Sequence, residues 1–229
     1  MTEYMYAGVC NDTGSRLFRT TDGATWVETT TGEEEFNDHW QCSWAVLDGA
    51  IYCMFGQTSQ ADGNTATPHV FRSLDGGFNF TKLADFPGTA RAELGRLLPV
   101  FGGKIHVVHG GRYSSPGEII AVYDDHWTFD GTTWVEVEAH TAPVGAIWET
   151  LWSDANDLYL KGGMCLIPGS SYRNQRTLWR WNAIAGWRPA VVPAFSHDHA
   201  NSVALLANGD ALVVPCDFSG NTTRIIRAS

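Results

Sequence analysis

The sequence is short of basic residues: it has 15 Lys and Arg against 25 Asp and Glu, a formal charge of −10. This acidic balance disfavours nonspecific binding to nucleic acid or to an anionic membrane. No apolar run approaches the length that spans a bilayer, and residues 1–4 lack the basic start and apolar stretch of a signal peptide. We therefore expect no nucleic-acid partner, no membrane insertion and no leader, which predicts a cytoplasmic protein unless it belongs to a virion.

The cysteines are few and odd in number, and none forms a C-x-x-C pair or a zinc-binding spacing. The five are Cys10, Cys42, Cys53, Cys165 and Cys216. Buried free thiols are the expected state. A disulfide between Cys42 and Cys53, which would face each other on neighbouring strands, is the alternative if the protein leaves a reducing cell.

Sequence motifs of the common enzyme classes are also missing. There is no phosphate loop, no dinucleotide fingerprint, no G-x-S-x-G and no H-E-x-x-H. The sequence does contain ten Trp, seven Tyr, eleven Phe, 24 Gly and nine Pro in 229 residues. Aromatic strands interrupted by tight turns have this composition, so residues 1–229 are predicted to form a single all-β domain.

A repeat of about 54 residues organises the chain. Polar turns followed by an aromatic residue recur, and that aromatic falls at Trp26, Phe80, Trp134 and Trp187. In the first three copies an Asp begins the turn, at Asp22, Asp75 and Asp130. The Asp carboxylate can accept hydrogen bonds from backbone N–H groups of its own turn, and the following Gly can take a positive φ. The aromatic residue is expected to pack under the hairpin.

A second hairpin also recurs along the chain, with Asp-Gly, Gly-Gly, Asn-Asp or Asn-Gly between apolar runs at residues 48–49, 102–103, 156–157 and 208–209. One repeat therefore predicts four antiparallel strands, and radial repetition of such sheets is the β-propeller architecture. Second strands are predicted near residues 4, 51, 105, 158 and 211, and third strands near 16, 69, 119, 177 and 223. Five blades follow, with the termini meeting at ring closure, and residues 124–126 are expected at the surface.

The segment Ser73 to Phe80 resembles the Asp-box (BNR-like) repeat of sialidase-like β-propellers, and the turns at Asp22 and Asp130 resemble a shortened form of it. That motif specifies fold rather than chemistry. A true sialidase would imply an N-terminal Arg-Ile-Pro segment, which does not occur here. Small propellers of this kind are similar to accessory proteins of tailed-phage virions and to propeller lectins.

Propeller topology also suggests where a site would lie. Segments that lead from one blade into the next should converge at the mouth of the central channel, and loops between second and third strands should reach the same face. The residues so selected are Asp38, His39, Trp40, Arg91, Glu93, Arg112, Trp148, Glu149, His197, Asp198 and His199. Their imidazoles and carboxylates suit a divalent cation, and their indoles suit a sugar ring. A water-filled polar channel is the alternative.

The sequence therefore predicts a non-catalytic binding or assembly module, most simply a capsid, tail or host-attachment protein of a phage particle. Its expected partners are other structural proteins and a host glycan, with no cofactor apart from a cation at the channel mouth. A small glycoside hydrolase that uses Glu93, Glu149 and Asp198 is the rival hypothesis. A lectin with one site per blade is a third, which the unlike residues Trp40, Leu94, Ile147 and Ala200 at one matching position disfavour.

Overall fold

The structure, a computed structural model, describes residues 5–11, 14–29, 39–40, 42–60, 63–92, 97–114, 118–138, 145–165, 173–174, 177–190, 200–205, 211–215 and 226–227. Every element assigned in these ranges is a β-strand, and every strand pair is antiparallel. The all-β prediction is confirmed. In the same ranges no helix is long and apolar enough to cross a membrane.

The chain forms two compact units, residues 1–96 with 112–120 and residues 97–111 with 121–229. In the first unit, β1 (Met5–Asn11), β2 (Gly14–Thr20) and β3 (Val27–Thr29) form one sheet in that order. A second sheet contains β4 (His39–Trp40), β7 (Gln57–Gln60) and β8 (Gly63–Ala66). The third has the order β10 (Thr81–Lys82), β9 (Val70–Ser73), β6 (Ala50–Met54), β5 (Ser43–Leu47).

The second unit contains two sheets with a four-strand path. One runs β11 (Val100–Phe101), β12 (Lys104–Val108), β15 (His126–Phe129), β16 (Trp134–Glu138). The other runs β17 (Ile147–Ser153), β18 (Leu158–Cys165), β20 (Trp179–Asn182), β21 (Gly186–Pro189), with β19 (Arg173–Asn174) beside β18. A three-stranded sheet follows, β22 (Ala200–Leu205), β23 (Ala211–Pro215) and β24 (Ile226–Arg227). Separately, β13 (Gly111–Ser114) pairs with β14 (Glu118–Val122).

One strand differs from the sequence prediction. The segment near Ile119 lies in β14 and pairs with β13, whereas the third strand of its repeat is β15. His126 begins β15 and is 1% exposed, so the expected surface position is wrong for this residue. The reason is that the chain makes an extra two-stranded hairpin after β12 before it returns to the sheet.

The Asp turns form as their chemistry predicts. Asp22, Asp75 and Asp130 each accept hydrogen bonds from two backbone N–H groups of their own turn. The donors are Ala24 and Thr25 for Asp22, Phe78 and Asn79 for Asp75, and Thr132 and Thr133 for Asp130, at 2.7–3.0 Å. A glycine with positive φ follows each of them, namely Gly23, Gly76 and Gly131. Hydrogen bonds from Thr25, Ala24 and Thr20 lower the pKa of Asp22 to about 2.

The repeating aromatics do not all pack alike. Phe80 is buried against Trp44, and Trp134 is stacked on Phe129 with ring centroids 4.5 Å apart. Trp26 is 42% exposed, contrary to the expectation that it lies under its hairpin. In that sheet the inward position of β3 is taken instead by Thr29, whose hydroxyl donates a hydrogen bond to the carbonyl of Leu17 at 2.9 Å.

Each unit has its own apolar core. In the first unit it consists of Leu17, Cys42, Trp44, Ile51, Cys53, Phe71 and Phe80. In the second it consists of Val108, Leu151, Leu158, Leu160 and Trp181, with Phe101, Val137, Trp179 and Trp187 packed against them. Cys42, Cys53 and Cys165 are buried thiols, and Cys42 and Cys53 are not joined by a disulfide. The side chains of Cys10 and Cys216 lie outside the described residues.

Two buried histidines of the second unit form a hydrogen bond whose direction can be assigned. His106 Nε2 lies 3.1 Å from the carbonyl of Phe101, which only accepts, so this nitrogen carries the proton. His106 Nδ1 must then accept from His126 Nε2, 2.8 Å away. The lowered pKa values of both residues keep the two rings neutral at pH 7. Burial lowers the pKa of His106 to about 4, and burial together with the nearby histidines lowers that of His126 well below its ordinary value.

We predict that Asp75→Ala destabilises the first unit by about 1 kcal/mol, because the variant leaves two turn N–H groups without their acceptor. Glu136→Ala is the matched control, since Glu136 is an exposed carboxylate on a regular strand. Urea unfolding of both variants measures the difference. Equal losses would show that the carboxylate does not hold the turn.

The histidine pair predicts a loss of stability in acid. The pKa of His106 is 6.5 in the unfolded chain and about 4 in the folded protein, so the unfolded chain binds the proton first as the pH falls. The stabilisation is thus complete above pH 6.5 and falls by about 3 kcal/mol as the pH drops to 4. His126 acts in the same direction.

Urea unfolding across this pH range should therefore show a steeper pH dependence for the wild type than for the shape-matched variant H106F/H126F. An unchanged slope in the double variant would contradict the assignment.

Candidate functional site

A left-handed kink follows the second strand in successive repeats. Phe55 and Gly56 lie between β6 and β7 with φ of 63° and 99°, and His109 and Gly110 lie between β12 and β13 with φ of 61° and 98°. Gly162 and Gly163 take φ of 78° and 89° within β18. Gly accommodates such angles readily, whereas a bulky residue with positive φ is strained. The kink redirects the strand and so begins the short hairpin that follows.

The first two kinks make the same three backbone hydrogen bonds. The N–H of the first kink residue donates to a carbonyl just before the third strand: Phe55 donates to His69 at 2.8 Å, and His109 donates to Asp125 at 3.0 Å. The glycine N–H donates to a carbonyl of the segment that enters the next sheet: Gly56 donates to Arg91 at 3.3 Å, and Gly110 donates to Ala146 at 3.1 Å. Each glycine carbonyl also accepts an N–H from the returning strand, that of Thr67 or Tyr123, at 2.9 Å. Arg91 and Ala146 therefore occupy equivalent positions in the structure.

At the first kink the side chains form an aromatic and cationic stack. Phe55 packs edge-on against Phe86 with centroids 5.2 Å apart, and the Arg91 guanidinium lies 4.8 Å from the centre of the same Phe86 ring. Arg91 Nε donates to the carbonyl of Thr89 at 3.1 Å, and the whole side chain is buried. Arg91 thus supports the kink here and does not face solvent.

At the second kink the equivalent of Phe55 is His109, and its side chain forms a buried hydrogen bond with Glu149. His109 Nδ1 lies 2.8 Å from one carboxylate oxygen of Glu149 and 2.9 Å from the other. The side chains are 0% and 2% exposed. Burial raises the pKa of Glu149 above its ordinary value, while the charge and hydrogen bond of His109 oppose that rise. When Glu149 is ionised its oxygens only accept, and Nδ1 is then the nitrogen that donates.

Gly163 leaves room for this pair. A Cβ at Gly163 would lie 2.5 Å from Cγ of Glu149 and 2.8 Å from the carbonyl oxygen of Ile147. The second contact is to backbone, which cannot move aside easily. The glycine at this kink therefore permits the close approach of β18 to the Glu149 side chain.

Trp148 lies directly opposite Gly163 and is itself strained. The ladder between β17 and β18 passes from the pair Ile147 and Met164 to the pair Glu149 and Gly162, so Trp148 and Gly163 face each other outside the ladder. Trp148 has φ of 58°, unusual for a bulky residue, and its side chain is partly exposed. Its neighbours Ile147 and Glu149 are buried.

The other predicted site residues are described only in part. His39 and Trp40 form β4, paired with Thr58 and Gln57, and Arg112 is exposed in β13. The side chains of His39 and Trp40, and the residues Asp38, Glu93, His197, Asp198 and His199, lie outside the described residues. Within the described residues no three His, Cys, Asp or Glu side chains form a group suited to a metal ion. The cation therefore stays a prediction.

Sequence reasoning missed His109 and Gly163. A signal for both was present, because Gly56, Gly110 and Gly163 follow second strands at intervals of 54 and 53 residues. That spacing matches the repeat of the aromatic residues. The residue before the glycine changes from Phe to His to Gly, so aligning the kinks would have brought His109 into the candidate site.

Comparisons with known proteins address the fold. No family model matches the chain, and no curated protein matches it. Among solved structures, the chain is similar to a β-propeller described as "Structure of YjhT", with a TM-score of 0.66 and 12% sequence identity. The likeness covers 97% of this chain and 81% of that one. This similarity and the four-stranded antiparallel sheets agree with a β-propeller architecture.

We predict that Gly163→Ala costs about 3 kcal/mol or more of unfolding free energy, because the new methyl group meets both Glu149 and a backbone carbonyl. Gly186→Ala is the matched control: Gly186 also has a positive φ, of 63°, but a Cβ there would contact nothing within 4 Å. The control should lose only the cost of the left-handed conformation, about 1–2 kcal/mol. Chemical denaturation of both variants compares them, and equal losses would contradict the close packing around Glu149.

Proposed function

We propose that this protein is a single five-bladed propeller that acts as a non-catalytic binding or assembly module. The observation that carries the proposal is the burial of Glu149 against His109, because Glu149 is one of the three carboxylates considered for a glycoside hydrolase. Both of its oxygens contact His109 Nδ1, and its side chain is 2% exposed. A hydrolytic acid or base must reach the glycosidic oxygen or a water beside the sugar. Glu149 supports the fold in this position and is closed to substrate.

Exposed apolar side chains on rigid turns support a binding role. Ile184 is 98% exposed at the tip of the hairpin between β20 and β21. Its backbone N–H and that of Ala185 donate to the Asn182 side-chain oxygen at 3.1 Å and 2.9 Å, which fixes the turn. Leu74, 73% exposed, occupies the turn that Asp75 holds. Because hydrogen bonds already hold the backbone of such a turn, little backbone entropy is lost when a partner covers its apolar side chain.

The kind of assembly follows from the repeat resemblance. Compact propellers with repeats like these resemble accessory proteins of tailed-phage particles. We therefore propose a capsid, tail or host-attachment protein as the first assembly to test, with other structural proteins as partners. Closure of the ring between the two chain ends belongs to the same proposal.

Catalysis is tested with a panel of chromogenic glycosides. We expect no turnover above that of the buffer, and we expect Glu149→Gln to behave as the wild type does. Turnover by the wild type that falls at least tenfold in Glu149→Gln would establish the hydrolase and overturn the proposal.

Assembly is tested by purifying the particle or complex that contains the protein at native expression and imaging it. We expect an interface above about 1,000 Å² that includes a hairpin tip. Ile184→Asp should lower occupancy on the particle, whereas Val135→Asp, at an exposed position in the regular strand β16, is the control. A protein that stays monomeric and absent from every particle would contradict this role.

A further inference from the structure

The hairpin formed by β20 and β21 has one face on the core and one at the surface. Trp181 and Trp187 pair across the hairpin and pack on His126, with ring centroids 4.8 Å and 5.6 Å away. Arg180 and Arg188 also pair, and because side chains alternate between the faces of a strand, they lie on the opposite face. Their side chains are 44% and 27% exposed. The outer face of the hairpin therefore carries two adjacent guanidinium groups.

One buried carboxylate serves the two arginines unequally. A single oxygen of Asp157 accepts hydrogen bonds from Arg188 Nη2 and Asn182 Nδ2, each at 2.7 Å. Arg180 Nη1 lies 3.7 Å from the other oxygen, which is an ion pair without a hydrogen bond. Asp157 therefore fixes the positions of Arg188 and Asn182, whereas Arg180 keeps its hydrogen-bond donors for another acceptor.

The Arg180 guanidinium is an unsatisfied donor group. It carries five N–H bonds and accepts none. None of them makes a hydrogen bond to the part of the chain that the structure describes, and the Nε atom is buried there without a partner. A buried N–H without an acceptor costs free energy, which an acceptor that reached it would recover. Since the side chain is 44% exposed, such an acceptor can approach from outside the protein.

The tip of the same hairpin supplies an apolar contact. Ile184 is 98% exposed, and the backbone around it is held by the Asn182 side-chain oxygen. Asn182 is itself held by Asp157, so one buried carboxylate positions both the hairpin tip and Arg188. An arginine close to an exposed apolar side chain on a rigid element is typical of a protein-binding hot spot.

The acceptor that suits a guanidinium best is a carboxylate, because its two oxygens can accept two parallel N–H bonds. The formal charge of −10 disfavours a polyanion such as nucleic acid. We propose that the β20–β21 hairpin is the docking surface for a partner protein segment that places a Glu or Asp carboxylate on Arg180 and an apolar side chain on Ile184. This proposal deepens the assembly role and rests on it, by stating the chemistry of the partner.

NMR of the arginine Nε–H groups in the whole protein tests the preference for a carboxylate. The probes are N-acetyl-Glu-Leu-amide and N-acetyl-Gln-Leu-amide, which have nearly the same shape and differ in charge. We expect the Glu peptide alone to shift the Arg180 signal, at millimolar concentration, and the signal is assigned by its loss in Arg180→Lys. The signal of Arg16, an exposed arginine that pairs with Glu28, is the internal control and should respond alike to both peptides. An Arg180 signal that responds equally to both peptides, or to neither, overturns the proposal.

Occupancy on the purified particle tests the same surface with its partner. Arg180→Gln should lower occupancy about tenfold, whereas Arg16→Gln should not. Arg180→Gln should unfold at the wild-type urea concentration because it loses no hydrogen bond, while Arg188→Gln should be less stable because Asp157 loses a donor. A dimer that forms through the hairpin without any partner would show that a second copy is the occupant and would overturn the proposal of a separate partner.

The outcomes separate this surface from the assembly role. Occupancy that falls in Ile184→Asp but persists in Arg180→Gln keeps the assembly role and overturns the carboxylate contact. An imaged interface with no carboxylate within 4 Å of the Arg180 guanidinium has the same meaning. A protein absent from every particle contradicts the assembly role, and a shift specific to the Glu peptide then still supports recognition of a carboxylate by Arg180.

Discussion

The hydrogen bond donated by the glycine N–H at the first two left-handed kinks is the interaction on which the rest of the structure depends. At Gly56 and Gly110 it holds the carbonyl of the segment that enters the next sheet. The glycine carbonyl holds the returning strand of the short hairpin at the same time. One glycine residue is therefore bonded both to the segment that enters the next sheet and to the returning strand of the hairpin. Because these bonds use only backbone atoms, the geometry repeats whatever side chains the repeat carries.

That backbone geometry leaves the side chains free to diverge. The position before the kink glycine is Phe55 in one repeat and His109 in the next, and each finds a partner suited to its chemistry. Phe86 and Arg91 complete an aromatic stack, whereas Glu149 completes a buried hydrogen bond with His109. Leaving either of these polar side chains buried without its partner would cost free energy, so the contact fixes the position of both. The His109–Glu149 contact therefore holds β17 against the second kink.

Much of this fold could be predicted from local chemistry. The turns at Asp22, Asp75 and Asp130 follow from hydrogen bonds within a few residues, which a sequence displays directly. The aromatic at Trp26 and the surface position of His126 were predicted wrongly, because burial depends on which strands become neighbours. The His109–Glu149 pair joins residues 40 positions apart through two kinks. The spacing of aromatic residues and turns along the sequence does not predict which distant side chains come into contact.

The repeat also constrains what kind of site the protein can carry. A lectin with one site per blade would require like side chains at equivalent positions, yet the first two kinks differ in their buried partners. Glu149, one of the three carboxylates considered for a hydrolytic centre, is buried against its own histidine. At the second kink the chain therefore uses a carboxylate and an imidazole where the first kink uses aromatic rings and a guanidinium. The same backbone hydrogen bonds hold both arrangements, so the side chains of a repeat can change without a change in the direction of its strands.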